Sequence, residues 1–498
     1  MKYLLYLSLL IVTIASCKTN EEQTQTSEFK EQYRPQFHFT PAEGWMNDPN
    51  GMVYYEGEYH LFYQHFPDGN KWGPMHWGHA ISTDLIHWEH LPIALYPDSL
   101  GYIFSGSAVI DHKNTTGFGT KKNPAMVAIF TYHDMAGEQA GDIDFQTQGI
   151  AYSLDKGRTW TKYKDNPVIK NPGIKDFRDP KVSWYEPEQK WVMILAVKDH
   201  TEIYASKDLK SWIKESEFGK SIGAHGGVWE CPDLFPLEVE NNNTKWVMLV
   251  SINPGGPQGG SATQYFVGDF DGKTFIPDDT ETRWVDHGAD NYAGVTFSNI
   301  PEKDERTIFM GWMSNWQYAQ DVPTEKWRSA MTIPRELSLL KKGTDYLLKS
   351  TPISAINKLI EISDKNKSSE FLVHDSTFVV TLNAEDLRNV SVNLVNDDKE
   401  VYHLYIKDNK LVSDRTKAGR NEFSKAFAAI HEAPLGGIVP TKVQVFVDAS
   451  SVEIFINDGE LVMTELLFPT TPYKKVNVYG KVSKFTVSPI KSIWLQKP

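Results

Sequence analysis

Three acidic residues stand in settings that could do chemistry: Asp48 in Asn47-Asp48-Pro49-Asn50-Gly51, Asp179 in Arg178-Asp179-Pro180, and Glu230 in Trp229-Glu230-Cys231-Pro232-Asp233. Taken singly, each is explained by turn chemistry, where Asp and Pro are common. Together they are not, because each opens a run that reads as a strand. Two further runs open in the same way, at Phe104-Ser105-Gly106-Ser107 and Asp290-Asn291-Tyr292-Ala293. If the five openings are equivalent places in a closed ring, residues distant in sequence meet at one pocket. Carboxylates gathered there repel one another unless they hold a cation or divide acid and base work. A calcium site is one reading, since hard cations take carboxylate oxygens. Cleavage of a glycosidic bond is the other, with one carboxylate attacking and a second, kept protonated, donating a proton. Nearby aromatics favour the second: Trp45, Trp72, Trp77, Phe104, Trp229, Tyr292, Trp312 and Trp316 could wall a sugar site.

The elements that must position these residues repeat. A Ser-x-Asp turn followed by an aromatic occurs at Ser82-Thr83-Asp84, Ser153-Leu154-Asp155 and Ser206-Lys207-Asp208, with a looser copy at Asp269-Phe270-Asp271. Each follows an apolar or aromatic run, and there are five such runs: 59–63, 126–130, 191–195, 246–250 and 307–311. Helical periodicity is scarce between 45 and 340. The repeats predict an all-β chain with a five-bladed β-propeller, a two-sheet sandwich being the alternative. Beyond about residue 340 the repeat stops and alternating strands take over, at 378–382, 401–406, 443–447 and 452–456, which predicts a C-terminal β-sandwich. The expected boundaries are 1–17 for a leader, 18–33 for a flexible tether, 34–340 for the propeller, 341–365 for a connector and 366–498 for the sandwich.

The leader reads Met1-Lys2, an apolar stretch from Tyr3, then Ile14-Ala15-Ser16-Cys17. The apolar stretch is too short to span a bilayer, and its end resembles a bacterial lipobox, which makes Cys17 the lipidated N-terminus of the mature chain. That implies a secreted protein anchored to a bacterial membrane, the outer one favoured, on either its periplasmic or its outer face. Cys231 is then the remaining thiol, so no internal disulfide forms and cysteine metal sites are excluded. The 498 residues carry a net charge of −13, against a nucleic-acid partner. Hydrophobic residues are 40% and aromatics 12%, with 15 Trp, enough for large cores and suited to a neutral polyol ligand.

Trp45-Met46-Asn47-Asp48-Pro49-Asn50-Gly51, Arg178-Asp179-Pro180 and Glu230-Cys231, in that order, resemble the three hallmark blocks of glycoside hydrolase family 32, the invertases, inulinases and levanases. Further similar blocks are Phe62-Tyr63-Gln64-His65, His76-Trp77-Gly78-His79, Phe104-Ser105-Gly106-Ser107, the stretch 327–337, and Val447-Asp448-Ala449-Ser450 onward in the sandwich. The resemblance covers about residues 34 to 495. It implies a retaining β-fructofuranosidase acting on fructans, with Asp48 the nucleophile, Glu230 the acid and base, and Asp179, beside Arg178, the transition-state stabiliser. It also implies that Asn47, Gln64, Trp72, Phe104 and Ser105 line the fructosyl subsite, with Asp290 and Trp312 on the rim. Glu230 must start protonated, which its apolar neighbours Trp229 and Cys231 would favour, and retention predicts carboxyls of Asp48 and Glu230 about 5–5.5 Å apart.

His60, His65, His76 and His79 fit no zinc spacing and read as hydrogen-bonding residues. Gly255-Gly256 and Gly259-Gly260 lack the Lys-Ser/Thr of a phosphate cradle and read as a blade connection near the pocket. No metal, cofactor or protein partner is implied. The leading expectation is hydrolysis of levan or inulin, exo slightly over endo. Fructosyl transfer on the same carboxylates and a non-catalytic glycan-binding lipoprotein are the competing ones.

Overall fold

The computed structural model describes residues 29–240, 243–301, 303–361 and 369–494. Cys17 and the leader lie outside the described residues. Five sheets carry residues 44–352, and two more carry the C-terminal part. The innermost strands are Gly44–Tyr55, Tyr102–Ile110, Phe177–Tyr185, Val228–Val239 and Tyr292–Thr296, in blades 1 to 5. They touch one another in cyclic order, blade 5 against blade 1, which makes the ring a propeller.

The apolar runs are the second strands of the blades: Glu58–Phe66, Met126–His133, Lys190–Val197, Asn243–Asn253 and Thr307–Met313. A separate core fills each gap between blades, so these strands are buried on both faces and read as continuous hydrophobic runs rather than alternating ones. In blade 3, for instance, Met193 and Leu195 pack toward blade 2 while Val192 and Ile194 pack toward blade 4. The Ser-x-Asp turns join the third and fourth strands. In the first of them, Ser82 Oγ accepts from the Asp84 and Leu85 amides, and Asp84 Oδ1 from those of Ile86 and His87. The ring closes where Trp327–Arg328, arriving from blade 5, pairs in parallel with Gly44 and Trp45.

Two boundaries move. The outer hairpin of blade 5 is Arg335–Lys342 with Asp345–Pro352, so the propeller runs to 352, not 340, and the connector is correspondingly shorter than 341–365. The outermost strands of a blade are half exposed, so this hairpin alternates in sequence and resembles the sandwich strands that follow. Phe29 and Tyr33, assigned to the tether, are packed: Phe29 stacks on Trp494 with centroids 3.9 Å apart, and Tyr33 is buried.

The C-terminal part is a sandwich of a six-stranded and a five-stranded sheet around one apolar core. Its junction with the propeller is partly polar. Arg335 reaches Asp286 at 2.9 Å and bonds Glu453, while His38 lies between Asp448 (2.7 Å) and Glu453 (2.8 Å). Those two carboxylates push the buried His38 imidazole up to about 9, against the effect of burial.

Candidate active site

Every innermost strand breaks register with its neighbour at the place where the sequence motifs fall. The breaks lie between Met46 and Pro49, between Ile103 and Gly106, opposite Ile194 and Ala196 in blade 3, between Glu230 and Asp233, and between Tyr292 and Val295. A β-bulge re-aims a side chain that regular pleating would send elsewhere. Three residues at the bulges adopt positive φ: Asp179 (64°), Cys231 (45°) and Ala293 (54°). Backbone strain of this kind persists only where surrounding structure holds it.

The bulges bring Asp48, Ser105, Asp179, Glu230 and Tyr292 together, one from each blade. Asp48 accepts from Asn47 Nδ2 at 2.9 Å and from Ser105 Oγ at 2.7 Å, and Cys231 Sγ lies 3.4 Å from its Oδ2. Asp179 Oδ2 accepts from the Cys231 amide at 3.0 Å. Arg178 spans the site, 2.7 Å from Asp176, 3.0 Å from Glu230 and 3.9 Å from Asp179. The Tyr292 hydroxyl donates to the other oxygen of Glu230. Burial and the charge of Glu230 raise the Asp48 carboxyl above its usual range, while the bonds from Ser105, Asn47 and Cys231 pull it back. Asp179 is pushed up to about 7 by burial, despite the adjacent Arg178.

These groups border a pocket of about 230 Å³, lined by Asn47, Asp48, Gln64 and Trp72 of blade 1, Phe104, Ser105, His133, Glu138 and Gln146 of blade 2, Asp176, Arg178 and Asp179 of blade 3, Glu230 of blade 4 and Trp316 of blade 5. Pockets for drug-sized ligands hold roughly 300–1,000 Å³, so this one suits a single sugar ring. The positive charge that a calcium reading requires is already present as the Arg178 guanidinium.

Two expected rim residues are elsewhere. Asp290 is fully buried at the propeller–sandwich junction, accepting from Tyr318 (2.7 Å), Arg415 (2.7 Å) and the Leu466 amide (2.8 Å). It precedes the inner strand of blade 5, on a stretch whose backbone bonds to the sandwich, and so faces away from the axis. Trp312 is also fully buried, packed beneath Trp316 (centroids 4.9 Å apart) and against Trp45. Of the eight aromatics expected as sugar-stacking walls, Trp72, Phe104 and Trp316 line the pocket. Trp45, Trp77, Trp229 and Trp312 are wholly buried, and Tyr292 nearly so, showing the site only its hydroxyl. Nor is the setting of Glu230 the apolar one expected, since Arg178 and Tyr292 hold its two oxygens and the Trp229 indole bonds Ala224 O.

The motifs did not single out Asp176, His133, Glu138 or Gln146. Asp176 had a signal, two residues before Arg178 on the same strand entry. The other three sit in and around a six-residue helix, Met135–Ala140, inserted between two strands of blade 2, where no repeat marks them. Among the histidines, His60 bonds His79 (3.1 Å), His65 bonds Trp45 O (2.8 Å) and His76 bonds Pro74 O (2.8 Å). The glycine-rich loop folds on itself through Gly256 N to Gly260 O, and Ser261 Oγ beyond it accepts from the amide of Trp316.

The glycosyl hydrolases family 32 N-terminal domain matches residues 38–352, and the family's C-terminal domain matches 346–494. The chain belongs to glycoside hydrolase family 32. Within it, a levanase of Bacillus subtilis is 47% identical, with 100% of this chain and 76% of that protein aligned. An extracellular exo-inulinase of Aspergillus awamori is 39% identical over 90% of this chain and 92% of its own. The crystal structure of exo-inulinase from Aspergillus awamori superposes with a TM-score of 0.85 at 37% identity, covering 94% of this chain and 100% of that one. A β-fructofuranosidase from Schwanniomyces occidentalis, complexed with fructosyl-erythritol, superposes at 0.80 with 32% identity, covering 93% of this chain and 97% of its own. Like them, this family 32 chain is a glycoside hydrolase.

Proposed function

We propose that the protein hydrolyses β-fructofuranosyl bonds of fructans from the chain end, with retention, through a covalent fructosyl-enzyme. The observation that carries this reading is the convergence of Asp48, Asp179 and Glu230 around a pocket sized for one sugar ring. In the first step Asp48 attacks the anomeric C2, the C2–O bond breaks and Glu230 gives its proton to the departing oxygen. In the second, Glu230 takes a proton from water, whose oxygen attacks C2 and releases fructose and the Asp48 carboxylate. Asp179 and Arg178 hold ring hydroxyls, and the Asp179 carboxylate offsets the positive charge that develops at C2. Ser105 and Asn47, bonded to Asp48, fix the line of attack. A pocket lined by all five blades favours a terminal sugar over a mid-chain one, in keeping with the exo-inulinases among the relatives. The mature enzyme is secreted and carries lipid on Cys17.

The experiment is turnover of levan and inulin by the native chain and by Asp48→Ala and Glu230→Ala. Free fructose is expected as the early product, with loss of activity by about a thousandfold or more in both variants. Variants that keep near-native turnover would overturn the mechanism. Early oligosaccharides without fructose would overturn the exo mode, and fructosyl adducts of an added sugar in place of fructose would overturn hydrolysis.

A further inference from the structure

The mechanism leaves unused two acidic side chains of the pocket wall, Asp176, which pairs with Arg178, and Glu138. The carboxylates of the site sit at graded depths: the side chains of Asp179, Glu230 and Glu138 are 6%, 21% and 39% exposed. Asp179 is thus at the floor, and Glu138, which lines the same pocket, is the most open of the three to solvent.

Glu138 is held there by a chain of bonds with a fixed direction. The Phe177 amide donates to Gln146 Oε1 at 2.8 Å, which leaves the Gln146 Nε2 facing His133 Nδ1 at 3.2 Å. An amide nitrogen only donates, so His133 Nδ1 accepts and the ring proton lies on Nε2. That nitrogen is 3.0 Å from Glu138 Oε2 and donates to it. The imidazole is further clamped by a parallel stack on Phe104, with centroids 4.1 Å apart. A neutral His133 matches this arrangement, and burial lowers its tendency to take up a second proton. The other oxygen of Glu138 accepts no hydrogen bond among the described residues. A carboxylate oxygen so placed is an acceptor without a donor, and sugar hydroxyls are donors that form strong bonds to charged acceptors.

Resting on the fructan-hydrolase reading, we propose that Glu138 binds hydroxyls of the sugar that carries the leaving oxygen, and that His133 is its positioning residue. The ligand class is therefore a fructosyl-fructose or longer chain, whose second unit lies at the rim, as opposed to a fructoside with an apolar leaving group.

The test compares a fructo-oligosaccharide with p-nitrophenyl β-D-fructofuranoside, whose leaving group has no hydroxyl to offer. For Glu138→Ala, KM on the oligosaccharide is expected to rise about tenfold, with kcat and all aryl-fructoside kinetics within about twofold of native. Glu138→Gln, which keeps shape and loses charge, should fall between, and His133→Phe, which keeps the stack and loses the donor, should raise the oligosaccharide KM more than the aryl KM. Equal losses on both substrates, or an unchanged oligosaccharide KM, overturn the assignment while the native enzyme still cleaves both. A native enzyme inert to both substrates overturns the fructan reading itself, and this assignment with it.

Discussion

Cys231 shows how tightly the floor of the site is built: its amide bonds Asp179, and its thiol lies 3.4 Å from Asp48 and 3.7 Å from Asp179. Burial, and with it the negative charge of Asp48, Asp179 and Glu230, pushes that thiol well above its ordinary range, so it stays neutral between two carboxylates. The strain of this floor is read best at Asp179. Its carboxyl, ordinarily near 3.8, is raised to about 7 in the folded chain. A native state that binds the proton more tightly than the unfolded state loses stability as pH climbs between those two values, and the deficit persists above them. Asp179→Asn is therefore expected to stabilise the protein at pH 8, on the order of 1–2 kcal/mol, and to have a smaller effect near pH 4, while lowering activity. Thermal melting at the two pH values checks this, and a pH-independent difference would sink it.

At the scale of elements, the bulge is the device that builds the site. A register break on the inner strand of every blade turns the motif side chains inward, and the geometry leaves little room for change. Gly106 stands at the break in blade 2, and a Cβ there would meet the Ile129 carbonyl oxygen at 2.0 Å. Gly106→Ala must push the inner strand away from its neighbour, and with it Ser105, which holds Asp48. The expected result is a loss of about 1–3 kcal/mol of stability together with a lower kcat. Kinetics beside a denaturation curve decide the matter, since a destabilised variant with native kcat would separate Ser105 from the alignment of Asp48. The motif positions were legible in the sequence, as strand openings marked by Asp-Pro, Ser-Gly and Cys-Pro pairs, but the register breaks were not, and the motifs lie within the inner strands. The hairpin 335–352 was not legible as part of blade 5, because a half-exposed outer strand alternates like any sandwich strand. The helix Met135–Ala140 was missed because a single six-residue insertion has no period to detect.

Across the whole molecule, the sandwich completes the propeller's side wall rather than its pocket. Asp290, Arg415 and Tyr318 on one hand, and Arg335, Asp286, Glu453 and His38 on the other, put charged groups into a buried junction where each is paired. Breaking such a pair leaves an uncompensated buried charge, which fixes how the two parts sit. Phe29 and Arg34 pack on this body, Phe29 on Trp494 and Arg34 over the Trp327 ring. The lipid anchor proposed at Cys17 is expected to be separable from catalysis. Cys17→Ser should abolish labelling by radioactive palmitate in a bacterial host and leave fructan turnover of the recovered enzyme within about twofold of native, because acyl chains on Cys17 act on membrane affinity and not on the pocket. Labelling that persists in the variant removes the lipobox reading.

By itself the sequence determined the strand-rich class and the five-fold order and pointed to the three carboxylates that meet in the pocket, because hydrophobic runs and turn residues are local signals. Which way a side chain faces is a different matter. Trp45, Trp77, Trp229 and Trp312 lie in or beside the motifs yet fill the gaps between blades, and Asp290 faces the sandwich. Glu138, from an unpatterned insertion, reaches the pocket. Only the closed ring decided these, since direction at a bulge depends on what packs behind it.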